Sequence, residues 1–154
     1  MSALGRVVFD TSTLVSAALR VGSVPRGALA HVLSAGELCA CASTLDELDE
    51  VLARHKFDRY QPVEIRKEFA ALLRRHASVF VASEADARNV YPPCRDPKDN
   101  QFLALVQKCN ADVLISSDAD LLVLHPWNGV PVLTPAAFME QVSAAVRNRA
   151  FPAF

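Results

Sequence analysis

The sequence predicts an α/β fold, a central parallel sheet covered by helices on both faces. Short apolar runs of strand length take turns with segments of helical apolar spacing, and right-handed crossovers assemble such βαβ units into a parallel sheet. Composition agrees: 51% of the 154 residues are hydrophobic and 21% charged, the balance of an ordinary globule rather than of a disordered, collagen-like or cysteine-stapled chain. No internal repeat or low-complexity linker interrupts the alternation, so residues 1–154 are read as one domain, with 146–154 as a tail that docks or flexes.

Arg6 to Phe9 is an apolar run ending in Asp10, and Thr11 to Leu19 follows with helical spacing. Pro25 opens a second helical segment through Leu33, in a first turn where its missing N–H costs nothing. Leu38 to Ala42 reads as the second strand. Ser43, with Asp46 three residues on, is the expected N-cap of a helix from Thr44 to about His55, which places Leu45, Leu48, Val51 and Leu52 on one face. Ile65, Phe69, Leu72 and Leu73 mark the apolar side of a further helix, and Val79 to Val81 is strand-like. A loop holding Pro92 and Pro93 leads to Asp96, the expected cap of a helix started by Pro97 and buried through Phe102, Leu105, Val106 and Cys109. Asp112 to Ile115 and Val130 to Leu133 complete the strands, and Thr134 with Pro135 starts the last helix.

Sixteen Lys plus Arg against seventeen Asp plus Glu give a net charge of −1, which excludes a strongly basic coat for nucleic acid and leaves room for a local basic patch. Cys39, Cys41, Cys94 and Cys109 read as reduced, buried thiols, because Cys39-x-Cys41 lacks the two-residue spacer of a zinc knuckle or redox motif. Residues 1–10 carry no long apolar segment, and no run approaches the roughly 20 apolar residues of a membrane helix. The expected location is the cytoplasm, with no membrane partner.

In open parallel sheets ligands bind beyond the carboxyl ends of the strands, where the topology reverses. Asp10 ends the first strand, Asp118 follows the fourth after Ser116 and Ser117, and an acid of the helix after the second strand lies one turn in. Glu47 and Asp49 flank that helix's apolar stripe almost equally, so periodicity does not choose between them. Asp99 joins the group if its helix start packs against the same edge. Like charges about 4 Å apart repel by roughly 4 kcal/mol at an effective dielectric near 20, so such a cluster persists only around something cationic. The donors are all oxygens, with no convergent His or Cys. That set suits Mg²⁺ or Mn²⁺, one ion or two, and a substrate whose phosphate oxygens complete the coordination.

Four blocks then resemble the PIN-domain ribonucleases in order: Val7-Val-Phe-Asp10-Thr-Ser-Thr-Leu-Val-Ser16; Leu45-x-Glu47-Leu-x-x-Val-Leu52 with Lys56-Phe57; Arg95-Asp-Pro-Lys-Asp99-Asn-x-Phe-Leu103; and Ile115-Ser-Ser-Asp118-Ala-Asp-Leu-Leu122. The match runs from about Arg6 to Phe138 and is closest to the toxins of prokaryotic toxin–antitoxin pairs. It implies a three-layer fold, a metal-dependent endoribonuclease acting on RNA, a cognate antitoxin as partner and pairing into a homodimer. It implies Asp10, Glu47, Asp99 and Asp118 as the catalytic and metal-binding acids; Asp120, two residues past the family position at Asp118, reads as a metal ligand outside that set. Ser12 stands where the family often has Asn, and Ser116-Ser117 replaces the more usual Thr-Gly; both departures keep small polar groups, and Ser12 and Ser116 are read as supporting residues. Lys56 and Arg59, soon after the Glu47 helix, are candidate phosphate contacts.

Structural roles compete for the same residues. Asp10 also suits a helix N-cap, Asp99 answers a helix dipole, and Asp96 reads as a cap alone. Arg54, Lys56, Arg59, Arg66, Lys67, Arg74 and Arg75 fit a solvated helical surface as well as a phosphate track. The histidines show no ligand spacing, and Trp127 reads as packing. A haloacid-dehalogenase-type phosphatase needs a second acid two residues after Asp10, where this chain has Ser12. The alternative from another class is a non-catalytic PIN-like scaffold that binds RNA or protein, whose usual mark is a lost acid; none is lost here.

Overall fold

The computed structural model describes residues 5–150. Its sheet comprises β1 (Arg6–Phe9), β2 (Glu37–Ala40), β3 (Ser78–Val79), β4 (Val113–Ile115) and β5 (Val132–Leu133), all parallel in the order β3-β2-β1-β4-β5. Eight α-helices connect and cover it among the described residues: α1 (Thr11–Leu19), α2 (Val24–Ala35), α3 (Ala42–Leu52), α4 (Val63–His76), α5 (Glu84–Arg88), α6 (Asn100–Cys109), α7 (Ala119–Leu122) and α8 (Pro135–Ala150). The three-layer α/β architecture is therefore the one expected.

The two cores follow from the pleat, which sends successive side chains to opposite faces. Val7 and Phe9 of β1, with Val113 and Ile115 of β4, pack against Val15, Leu29, Leu48, Leu73 and Phe138 on one side. Val8 and Leu114 face the other way, onto Phe102, Leu105 and Val106 of α6 and onto Trp127. Each fully buried side chain of this kind stabilises the fold by about 1.5–3 kcal/mol, and the strands carry polar side chains only at their starts, Arg6, Glu37 and Ser78, and beyond their ends.

β2 and β3 lie to one side of β1, β4 and β5 to the other. The winding direction thus reverses between β1 and β4, the place where α/β sheets open a crevice at their carboxyl ends. Phe9 is in register with Ile115, and the Asp10 N–H donates to the Ile115 carbonyl at 3.1 Å. Both strands therefore end at the same level, and the residues that follow them face one another.

Several local expectations are corrected. β2 stops at Ala40, and α3 begins at Ala42 with Cys41 rather than Ser43 at its N-cap; the Cys41 N–H is met by the Thr44 hydroxyl at 3.1 Å, which makes Thr44 the reciprocal capping partner. α3 ends at Leu52, and a separate 3-10 turn, His55–Phe57, follows. Asp96 and Pro97 start a 3-10 turn, Pro97–Asp99, from which α6 continues. Strands expected at 79–81, 112–115 and 130–133 are shorter, and α5 was not anticipated. In α4 the apolar spacing holds for Leu73, which is buried, and for Phe69, which packs half-buried against the core, but Ile65 and Leu72 are exposed and the other buried positions are Arg66 and Ala70. Spacing alone treats every apolar residue as core, and it did not anticipate a buried guanidinium. α8 continues to Ala150 and so includes the first residues of the segment read as a tail; Phe151 to Phe154 lie outside the described residues. No helix of the described residues is long and apolar enough to cross a membrane.

Candidate functional site

Asp10 leaves β1 and N-caps α1, with only 3% of its surface exposed. One carboxylate oxygen accepts from the Thr13 N–H at 2.9 Å and from the Ser12 hydroxyl at 3.3 Å; the other accepts from the Ser116 hydroxyl at 2.5 Å. Ser116, just past β4, in turn accepts from the Asp118 N–H at 2.9 Å, and Asp118 caps α7 through the Asp120 N–H at 2.9 Å. The cap and the site are thus one arrangement. Burial pushes the Asp10 carboxyl above its ordinary range, while the hydrogen bonds from Ser116, Thr13 and Ser12 pull the other way.

Asp99 sits where the 3-10 turn passes into α6. Its carboxyl is pushed up to about 7, first by burial, then by the charge of Asp118 and a hydrogen bond shared with it, with smaller contributions from Asp96 and Asp10. Asp99 and Asp118 therefore form a close pair, with Asp10 near enough to be felt.

Glu47, in the second turn of α3, completes the group. Its Oε2 accepts from the Thr11 hydroxyl at 3.0 Å and from the Gln101 amide at 2.5 Å, which ties α3 to the starts of α1 and α6. Asp49, two residues on and about 200° around the helix, faces α4 and takes Arg74 at 2.6 Å. The ambiguity that periodicity left is resolved by what each face meets. Asp10, Glu47, Asp99 and Asp118 line one cleft of about 310 Å³, with Ser12, Arg54, Lys56 and Phe57 on its walls. Arg54 is tied to Glu50 at 3.5 Å, whereas no carboxylate pairs with Lys56 among the described residues.

Other expected residues lie elsewhere. Asp120 is not on the cleft wall and reaches it only through its N–H on Asp118. Arg59 stacks on the Tyr60 ring at 4.9 Å, outside the cleft lining. Arg66 is fully buried and Arg74 is paired to Asp46 and Asp49, which removes both from any phosphate track. Asp96 caps its turn through the Lys98 N–H at 3.0 Å. All four cysteines are free and buried, and Trp127 is buried with its indole N–H on the Pro92 carbonyl at 2.8 Å. Among the described residues no three His, Cys, Asp or Glu side chains are placed to hold one ion together.

Thr11 and Gln101 were missed as residues that shape the site. Thr11 is adjacent to Asp10, a signal that was available. Gln101 is two residues from Asp99, a spacing that puts side chains on different helix faces, so nothing local marked it.

The sequence matches a family model for the PIN domain over residues 6–120. Six chains of solved structures match the fold; one is VapC20 of Mycobacterium tuberculosis, described as a sarcin–ricin loop cleaving toxin, at 14% identity and a TM-score of 0.51, covering 74% of this chain and 91% of that one. No curated protein matches by sequence.

Proposed function

The chain belongs to the PIN-domain family, and from that premise we propose that it is a metal-dependent endoribonuclease that hydrolyses RNA phosphodiester bonds. The observation that carries this is the convergence of Asp10, Glu47, Asp99 and Asp118 on one cleft with Lys56 and Arg54 on its wall. The Asp99–Asp118 pair, with Asp10 near it and Glu47 on the same cleft, would hold Mg²⁺ or Mn²⁺ one or two carboxylates at a time, for one ion or two: every donor is an oxygen, and such ions need only one or two carboxylates beside water and phosphate oxygens. The half-buried Asp99, pushed up to about 7 by burial and its acidic neighbours, fits that reading, because its charge calls for a proton or a cation near neutral pH. When bound, such an ion polarises a phosphoryl oxygen and acidifies water.

The chain's own residues do the rest. Ser12, Thr13 and Ser116 fix the Asp10 carboxylate, so its direction is set before substrate arrives. Thr11 and Gln101 occupy one oxygen of Glu47 and leave the other to accept a proton from an attacking water in the proposed reaction. Lys56, whose ammonium lies over the Phe57 ring at 5.1 Å with no carboxylate pairing it among the described residues, offers a cation to the RNA backbone. The role of toxin, held in check by a cognate antitoxin, is carried by the sequence blocks and by the description of VapC20; pairing with a second copy is part of the same reading. The test is cleavage of a single-stranded RNA by purified protein. Cutting is expected with Mg²⁺ or Mn²⁺, leaving 5′-phosphate and 3′-hydroxyl ends. Activity that persists in EDTA, or cyclic-phosphate ends, overturns the mechanism.

A further inference from the structure

Arg66, in the first turn of α4, has 0% of its surface exposed and does not line the cleft. Its guanidinium makes four hydrogen bonds, all to one short stretch of chain: to the Leu52 carbonyl that ends α3, to the Arg54 carbonyl at 3.0 Å, to the Gln61 carbonyl at 3.0 Å, and to the Asp58 carboxylate. Between those acceptors lies the His55–Phe57 turn, which carries Lys56 and Phe57 to the cleft wall. No bond from Arg66 reaches the sheet. A buried cation costs several kcal/mol unless its donors are satisfied, and here the satisfaction comes wholly from the segment that holds the cleft's cations.

We propose that Arg66 is a positioning residue: it pins segment 53–62 and thereby sets where Lys56 stands to meet the phosphate backbone. The consequence for RNA rests on the nuclease reading above; the pinning does not. Lysine cannot replace it, because the ammonium is a point charge, whereas the planar fork reaches acceptors before, within and after the turn at once.

The experiment compares wild type, Arg66→Lys, Lys56→Met and the double variant, by amide hydrogen exchange and by KM and kcat on a labelled single-stranded RNA with Mn²⁺. Arg66→Lys should lose protection over residues 53–62 while β1 and α6 stay protected. KM should rise about fivefold, as for a lost charge-assisted phosphate contact, with kcat within about twofold. Lys56→Met should raise KM similarly, and the double variant should be no worse than the poorer single one, because both changes act at the same point. Additive effects, an unchanged KM, or loss of protection spread through the core overturns the proposal. If the wild type cuts no RNA, the nuclease reading fails and exchange alone decides: unchanged protection at 53–62 then overturns the pinning. Asp58→Asn, at a partner 54% exposed, covers a failure of Arg66→Lys to fold; it should show the same changes in smaller size, and wild-type exchange and KM in that variant overturn the proposal equally.

Discussion

The two walls of the cleft are built in different ways. On the sheet wall, Asp10 and Asp118 follow adjacent parallel strands, and one hydroxyl, Ser116, bridges the carboxylate of the first to the backbone of the second. On the helical wall, Glu47 depends on side chains from two other elements, and Lys56 on a turn pinned by Arg66. Backbone register holds the first wall, so moving it means breaking the sheet. Side-chain hydrogen bonds hold the second, so it gives way piece by piece. In the proposed reaction the first wall carries Asp10 and Asp118, and the second carries the proton-accepting Glu47 and the phosphate-contacting Lys56.

Substitutions can break this contrast at graded cost. Asp10→Asn should lower cleavage by about 10³-fold, since it removes the most buried acid of the cleft and unsettles three donors at once; an enzyme still within tenfold of wild type would mean the sheet wall is not the reacting one. Glu47→Gln should lose about 10²-fold while Asp49→Asn stays within about twofold, both with unchanged circular dichroism. The reverse order would place the wrong face of α3 in the cleft. Gln101→Ala leaves Glu47 with Thr11 alone, and kcat should fall about tenfold without loss of stability, a cost confined to the helical wall.

The smallest effect is in stability, and its sign follows from Asp99. Its folded carboxyl titrates at about 7 against an ordinary 3.8, so the folded state holds the extra proton in between. Stability present below about 4 is therefore lost as pH rises toward 7 in metal-free protein. Asp99→Asn should flatten that slope and melt at or a few degrees above wild type near pH 7 without metal. Mn²⁺ at a hundredfold excess over Kd should stabilise wild type by about 2.7 kcal/mol and the variant by much less. A destabilised variant that keeps the full Mn²⁺ shift would make Asp99 a helix-start residue only.

How much of this was legible in the sequence depends on whether a residue's position is set along the chain or across it. Asp10, capping α1 directly after β1, and Asp118, two residues past Ser116, were readable because strand ends and caps are local features. The choice of Glu47 over Asp49 was not readable from periodicity, since both flank the same stripe and only Arg74 on one side and Gln101 on the other tell them apart. α4 shows the same limit from the opposite direction. Ile65 and Leu72 have the spacing of a buried face, yet Arg66 is the residue inside, because the carbonyls left open at the end of α3 and around the next turn need a donor more than the core needs another aliphatic.

By itself the sequence determined the alternation of strands and helices, the layered α/β class and the acids that stand at strand ends, because these follow from spacing and local capping energies that act within a few residues. Only the tertiary structure decided which acid of α3 enters the cleft, that Gln101 and Thr11 hold it, that Arg59 stays outside, and that a buried arginine anchors the turn bearing Lys56. Those outcomes depend on hydrogen bonds between elements far apart in the chain, whose partners are chosen by packing and leave no period in the sequence.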